Sequence, residues 1–251
     1  MTEKTTKQRR GIYLLPNILT TGGLFAGFLG IVNSMQGHYG WAAIAVFVAM
    51  IMDGFDGRIA RLTNTESDFG AEYDSLADVV SFGVAPALIV YNWALSESGK
   101  FGWISAFIFV AAGALRLARF NTQIGIQDKR YFQGLAIPSG AAIICGMVWC
   151  GETYGISGSE YSIAVGIVTI VTALLMVSNF RYHSFKQVAW REKVPFVAIL
   201  VIVLIFVMIA MEPPLVLFTG FSLYGISGPL LTLWGRWRMR PRRTRQTNAK
   251  E

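Results

Sequence analysis

The chain has 251 residues, 53% of them hydrophobic and only 15% charged, where soluble proteins carry about 25% charged residues. With a mean hydropathy of +0.48, these values exclude an ordinary soluble domain and predict an integral membrane protein of the all-α class. A net charge of +7 would suit nucleic acid, but the basic residues lie between apolar runs and no nucleic-acid-binding motif accompanies them.

Residues 1–15 hold Lys4, Lys7, Arg9 and Arg10 and read as a basic amphipathic segment on the membrane surface. A signal peptide would also begin this way, but the apolar run that follows is too long and no small-residue cleavage site ends it. It is therefore expected to stay as a first span, with Pro16 in the first turn of its helix. A crossing takes about 20 apolar residues. On that measure eight spans are predicted, at roughly 17–36, 41–60, 72–94, 101–118, 135–152, 161–179, 195–211 and 215–234.

Small residues along several spans allow close helix packing. Gly23-Leu-Phe-Ala-Gly27 is expected to serve internal packing rather than a dimer face. Cys145 and Cys150 share one apolar stretch and read as small apolar residues against lipid or a neighbouring helix. Trp41, Trp93, Trp103, Trp190, Trp234 and Trp237 fall near predicted span ends, as interfacial anchors do.

Orientation follows from charge. All of the 22 lysines and arginines except Lys100 fall on one side of an eight-span topology. By the positive-inside rule both termini are cytoplasmic. The arginine-rich tail, residues 235–251, reads as an anchor for anionic headgroups.

Against this apolar background stand four aspartates, in Asp53-Gly-Phe-Asp56-Gly57-Arg-Ile-Ala60-Arg61 and Gly70-Ala-Glu-Tyr-Asp74-Ser-Leu-Ala-Asp78. A carboxylate inside a bilayer costs about 2.5–3.5 kcal/mol on insertion scales. Asp53, Asp56, Gly57, Ala60 and Arg61 share one helical face near the cytoplasmic end of the second span. Gly70, Asp74, Asp78 and Ser81 form a stripe at the start of the third. The short connection predicts antiparallel neighbours whose acidic stripes converge on one cavity. Oxygen-only ligands favour Mg²⁺, Mn²⁺ or Ca²⁺, and two such ions would suit cleavage of a phosphoanhydride. The small residues leave room for a bulky group against the backbone. Aspartates merely solvated and paired with Arg58 and Arg61 are the plainer reading; four carboxylates on two stripes disfavour it.

The pattern Asp-x2-Asp-Gly-x2-Ala-Arg-x8-Gly-x3-Asp-x3-Asp resembles the signature of the CDP-alcohol phosphatidyltransferase family at every position. Leu15-Pro16-Asn17-Ile-Leu-Thr20, Ala77-Asp78-Val-Val-Ser81-Phe82-Gly83-Val-Ala-Pro86, Arg116-Leu-Ala-Arg119-Phe120-Asn121 and Tyr131-Phe132-Gln-Gly134-Leu-Ala-Ile-Pro138 extend the likeness over about residues 11–145. They resemble the serine-accepting branch of the family, although Ala136 stands where a proline is expected. The resemblance implies a six-helix catalytic membrane core (residues 16–180), two additional helices (195–234) and a basic cytoplasmic tail. It implies a membrane transferase of phospholipid biosynthesis that moves the phosphatidyl group of CDP-diacylglycerol to L-serine and releases CMP. Mg²⁺ or Mn²⁺, as two ions, would be the cofactor. A homodimer among membrane lipids is expected.

By position, the resemblance makes Asp53, Asp56 and Asp74 metal ligands and Asp78 a ligand or the general base. Asp56, Gly57, Ala60, Arg61 and Gly70 would contact the CDP moiety, with Asn17 and Thr20 helping. Ser81, Arg116, Arg119 and Asn121 are candidates for the acceptor, an arginine gripping the serine carboxylate. Arginines at a helix end can equally be snorkelling to headgroups. Another acceptor, such as glycerol 3-phosphate or inositol phosphate, is the nearest alternative. A divalent-cation transporter is a distant one, since no internal repeat is visible.

Overall fold

The computed structural model describes residues 14–63, 65, 67–122, 131–183 and 196–238. The basic positions 4–10, 129–130, 186–193 and 240–250, together with Trp190, lie outside the described residues. All the candidate site residues lie inside them.

The chain is a bundle of helices. They are α1 (Leu14–Met35), α2 (Tyr39–Thr63), α3 (Asp68–Asp78), α4 (Ala85–Val90), α5 (Gly99–Thr122), α6 (Ile137–Thr153), α7 (Ser162–Val177), α8 (Phe196–Met211) and α9 (Pro213–Arg238). Among the described residues, four stretches are long and apolar enough to cross a membrane: Pro16–Met35, Asp68–Thr122, Gly158–Val177 and Pro213–Trp234. The second turns back on itself at Gly99, whose φ of +56° suits a residue without Cβ. α6 and α8, with 17 and 16 residues, are shorter than a typical span. An all-α membrane protein is the architecture these helices support.

α3 and α4 form one rod with a π-helical turn, Val79–Val84, between them and a second, Tyr91–Leu95, after α4. Pro86 supplies the reason for the first. It has no N–H to give Phe82, so the preceding turn widens, and the Ala85 N–H bonds to Val80 O instead.

α1 is the central strut, packed along the length of α2 and also against α3, α4 and the π turn. Its glycines allow this. A Cβ on Gly27 would sit 2.7 Å from Ser81 Cα, and one on Gly30 would sit 3.0 Å from Ala42 O. The Gly23/Gly27 pair is thus used for internal packing, as the sequence suggested. Cys145 and Cys150 are free and buried against neighbouring helices. Trp41, Trp103 and Trp234 are more than half exposed, but Trp93 is in the core, where its Nε1 donates to Glu152 at 3.0 Å. It is a packing residue rather than an interfacial anchor.

Two three-residue strands, β1 (Tyr131–Gln133) and β2 (Arg181–His183), pair antiparallel and tie the connection after α5 to the one after α7. The helix reading did not anticipate them. Gly134, with φ +76°, follows β1 in direct contact with the Met176 carbonyl, where a side chain has no room. α8 is exposed along nearly its whole length and packs mainly on α9, which joins the bundle through α6 and β2. Such an all-round apolar helix suits lipid rather than water.

Candidate active site

The site lies where α1, α2 and α3 meet. α2 ends with Asp53 and Asp56 on its inner face. The N-cap of α3 is Ser67, whose Oγ accepts from the Gly70 N–H at 3.1 Å; it fixes where the second stripe begins. From there regular helical spacing carries Asp74 and Asp78 to the same side. Sequence reasoning expected the two acidic helices to be direct neighbours. Both instead pack chiefly on α1, which supplies Thr20 and Gly23 to the space between them.

Asp53, Asp56, Asp74, Asp78 and Ser81 all line one narrow cleft, together with Thr20, Gly23 and Ala49. Carboxylate oxygens of Asp53, Asp56 and Asp74 lie within 4.8 Å of one another. Two oxygens on opposite sides of one divalent ion are separated by about 4–5 Å, given metal–oxygen distances of about 2.0–2.6 Å. The donor set is all oxygen. Spacing and chemistry therefore both fit a hard divalent cation, and these three residues can hold one. Asp78 lies outside that triad but within electrostatic reach of Asp53, Asp56, Asp74 and the Arg116 guanidinium.

Thr20 donates its hydroxyl to Asp56 Oδ2 at 2.9 Å and also approaches Pro16 O at 3.1 Å. It orients the most deeply buried carboxylate. Beside the aspartates opens a cavity of about 460 Å³. Asn17, Thr20, Asp56, Gly57, Ala60, Arg61, Gly70 and Asp74 line it, so every residue expected against the nucleotide is brought together there. A Cβ on Gly57 would meet only the Arg61 guanidinium, at 3.8 Å, so this wall is open backbone. The same cavity is lined by Thr65, Ser67 and Asp68, which the sequence reading missed. The sequence signal for them was the helix-capping pattern of Ser67 ahead of an acidic first turn.

The acceptor candidates separate. Ser81 is buried in the aspartate cleft and donates to Gly23 O at 3.3 Å. Asn121 donates to Ser75 Oγ at 3.0 Å, on the other edge of the acidic stripe. The Arg116 Nε is buried without a hydrogen-bond partner among the described residues. An unmet buried donor costs about 1–3 kcal/mol, more when charged. Arg119 is engaged elsewhere. It donates to the carbonyls of Val177, Gln133 and Ser178 at 3.1, 3.2 and 3.3 Å and to Asn179 Oδ1 at 3.3 Å. Three residues along the helix from Arg116, it turns to the β1–β2 side and clamps the end of α7.

An oxygen triad with Asp56 buried and Asp53 and Asp74 half-buried, beside an open cavity of about 460 Å³ at one end of an apolar bundle, fits a membrane enzyme acting on a charged substrate. The family model for CDP-alcohol phosphatidyltransferases matches residues 13–171, more than half the chain, and the chain belongs to that family. Among its relatives, the CDP-diacylglycerol–serine O-phosphatidyltransferase of Helicobacter pylori (strain J99) is 39% identical over 219 residues, covering 86% of this chain and 90% of the relative. The enzyme of the same name from Methanocaldococcus jannaschii is 38% identical, covering 71% of this chain and 78% of its own. That of Bacillus subtilis is 35% identical, covering 69% and 92%.

Proposed function

We propose that this chain is a CDP-diacylglycerol–serine O-phosphatidyltransferase. The observation that carries the reading is the Asp53–Asp56–Asp74 triad opening onto the cavity lined by Gly57, Ala60, Arg61 and Gly70. Relatives bearing that name over most of the chain supply the acceptor.

Asp53, Asp56 and Asp74 would hold Mg²⁺ or Mn²⁺, as two ions with Asp78 contributing to the second. Bound there, the ions would supply charge neutralisation for the diphosphate and the departing CMP. Asn17 and Thr20 flank the cytidine nucleotide, and Arg61 supplies positive charge to its phosphates. Open backbone at Gly57 lets the diphosphate approach closely, and Gly70 lines the same cavity. The acyl chains remain in lipid between helices. Arg116 grips the serine carboxylate, and its buried Nε, which has no hydrogen-bond partner among the described residues, supports that reading. Ser81, which lines the aspartate cleft, and Asn121, which bonds Ser75 beside Asp74, orient the acceptor. Asp78 takes the proton from the serine hydroxyl, whose oxygen attacks the phosphorus bearing diacylglycerol, and the bond to CMP breaks. Positioning and charge neutralisation supply most of the rate.

The catalytic core is residues 16–180, with two further helices over 195–234. The chain crosses the cell membrane eight times, with both termini and the aspartate cleft cytoplasmic, and assembles as a homodimer. Support for the orientation comes from the described charges. Arg58, Arg61, Arg116, Arg119 and Arg181 fall at the aspartate end of their elements, and Lys100 follows the Gly99 turn at the other.

The test is CMP release by purified protein given CDP-diacylglycerol, Mn²⁺ or Mg²⁺, and a panel of alcohols. Serine-dependent release that stops with chelator is expected. Release indifferent to serine, or driven better by glycerol 3-phosphate, would overturn the acceptor; absence of release would overturn the enzyme.

A further inference from the structure

At the end of the bundle opposite the aspartates, a cavity of about 380 Å³ opens between the start of α2 and the end of α6. Gly37, His38, Tyr39 and Trp41 line it from one side, and Trp149 and Glu152 from the other. The aspartate site uses none of them. Each wall is fixed from behind. The Tyr39 hydroxyl donates to Asn92 O at 3.0 Å, and the Trp149 ring packs on Phe47 with centroids 5.8 Å apart. Glu152 accepts from Trp93 Nε1 at 3.0 Å, and the Trp93 ring is itself pressed on Gly151 and Gly158.

Glu152 is a carboxylate in need of a cation: among the described residues no lysine or arginine pairs with it. The bond from Trp93 engages Oε1 and leaves Oε2 for a ligand. Two tryptophans and a tyrosine share its cavity. Aromatic faces attract an organic cation, and a carboxylate beside them adds direct charge attraction. Glu152 also sits in the last turn of α6, where the helix dipole favours positive charge. The opposite wall favours the other sign. The first backbone bond of α2 runs from the Ala42 N–H to His38 O at 2.9 Å. The amides of Tyr39, Gly40 and Trp41 come before it and have no intrahelical partner. A Cβ on Gly40 would meet nothing within 4 Å, so the backbone there is open to a ligand. A bare ammonium would suit only the Glu152 wall, whereas a phosphate joined to an ammonium suits both.

We infer that this cavity binds the phosphate–ammonium headgroup of a zwitterionic phospholipid, its ammonium against Glu152 and the aromatic rings and its phosphate at the start of α2. Trp41, 68% exposed at the end of its helix, places the cavity at headgroup level, where lipid is the abundant source of such a group. The volume is that of a small-ligand pocket. Trp41 and Asp53 are twelve residues apart on α2, about 18 Å of helix rise. The bound lipid therefore stands away from the aspartates and is held without being transformed.

Native mass spectrometry of the full-length protein in detergent tests this, with phosphatidylethanolamine and phosphatidylglycerol of the same acyl chains offered at equal concentration. The first carries the ammonium and the second does not. The parent is expected to retain phosphatidylethanolamine about fivefold more than phosphatidylglycerol. Glu152→Gln keeps an acceptor for Trp93 and removes the charge, and Trp41→Leu removes an exposed ring. Each is expected to abolish the preference. Equal retention of the two lipids by the parent overturns the site, and so does an undiminished preference in Glu152→Gln. Should Glu152→Gln melt well below the parent, Trp41→Leu decides by the same criterion, since its ring lies on the surface. A millimolar excess of soluble O-phosphoethanolamine separates the sources of the headgroup. Lipid retained against it supports the membrane as the source, and full displacement overturns that source in favour of a free phosphoamine.

Discussion

Asp56 is 4% exposed and is the buried member of the aspartate triad, so it depends most on its neighbours. A hydrogen bond to a charged group is worth about 1.5–3 kcal/mol, and Thr20 supplies one. Thr20→Val is therefore expected to weaken the half-saturating concentration of Mn²⁺ by about tenfold or more, with the maximal rate recovered at high metal; a metal titration of activity checks it. Asp74→Asn acts on the same triad and should shift that titration further. Asp78→Asn should behave differently. Loss of a general base costs about 10²–10⁴-fold in rate, so kcat should collapse and, unlike in Thr20→Val, stay low at saturating metal. Near-normal turnover in Asp78→Asn would remove the base role. That Asp53, Asp56, Gly57 and Arg61 share one face was legible from spacing alone, because helical periodicity converts i, i+3, i+4 into a shared face. Thr20's bond to Asp56 was not, because it joins residues far apart in sequence.

The helix α5 carries two arginines with separate work. Arg119 makes four hydrogen bonds that brace α7 and β1. Arg119→Ala should lower the melting temperature by about 5 °C or more, since each kcal/mol lost shifts a chain of this size by about 2–4 °C. Its serine KM at a permissive temperature should stay near the parent's. Arg116→Ala should do the reverse, raising the serine KM strongly with little thermal shift. Thermal unfolding beside steady-state kinetics separates the two. In α1, Gly27→Val would drive a side chain into Ser81. Overpacking costs about 1–3 kcal/mol, and here it would also part α1 from the π turn below Asp78, lowering both stability and activity. The sequence grouped Arg116 with Arg119 because they are one turn apart. Only the packing of α7 and the strand pair pulled their functions apart.

Across the whole molecule, helices alternate in direction. Trp93–Glu152, Tyr39–Asn92 and Tyr154–Glu212 bond at the end opposite the aspartates. If the aspartate end is cytoplasmic, an impermeant maleimide should label Ser96→Cys on intact cells and Leu62→Cys only after permeabilisation. Cys145 and Cys150 are buried and should stay silent. Labelling in the opposite order would invert the topology. The sequence by itself determined the membrane class, the approximate helix positions and the acidic stripes. These follow from local quantities: hydropathy over about 20 residues, charge at the connections, and a period of about 3.6 residues. Only the tertiary structure decided that α1 stands between the acidic helices, that Trp93 is core, that Arg119 is a clamp, and that α9 packs Tyr224 against the ring of Tyr182. Those are contacts between distant segments, set by which small residues let two backbones approach, and no local window of sequence carries that information.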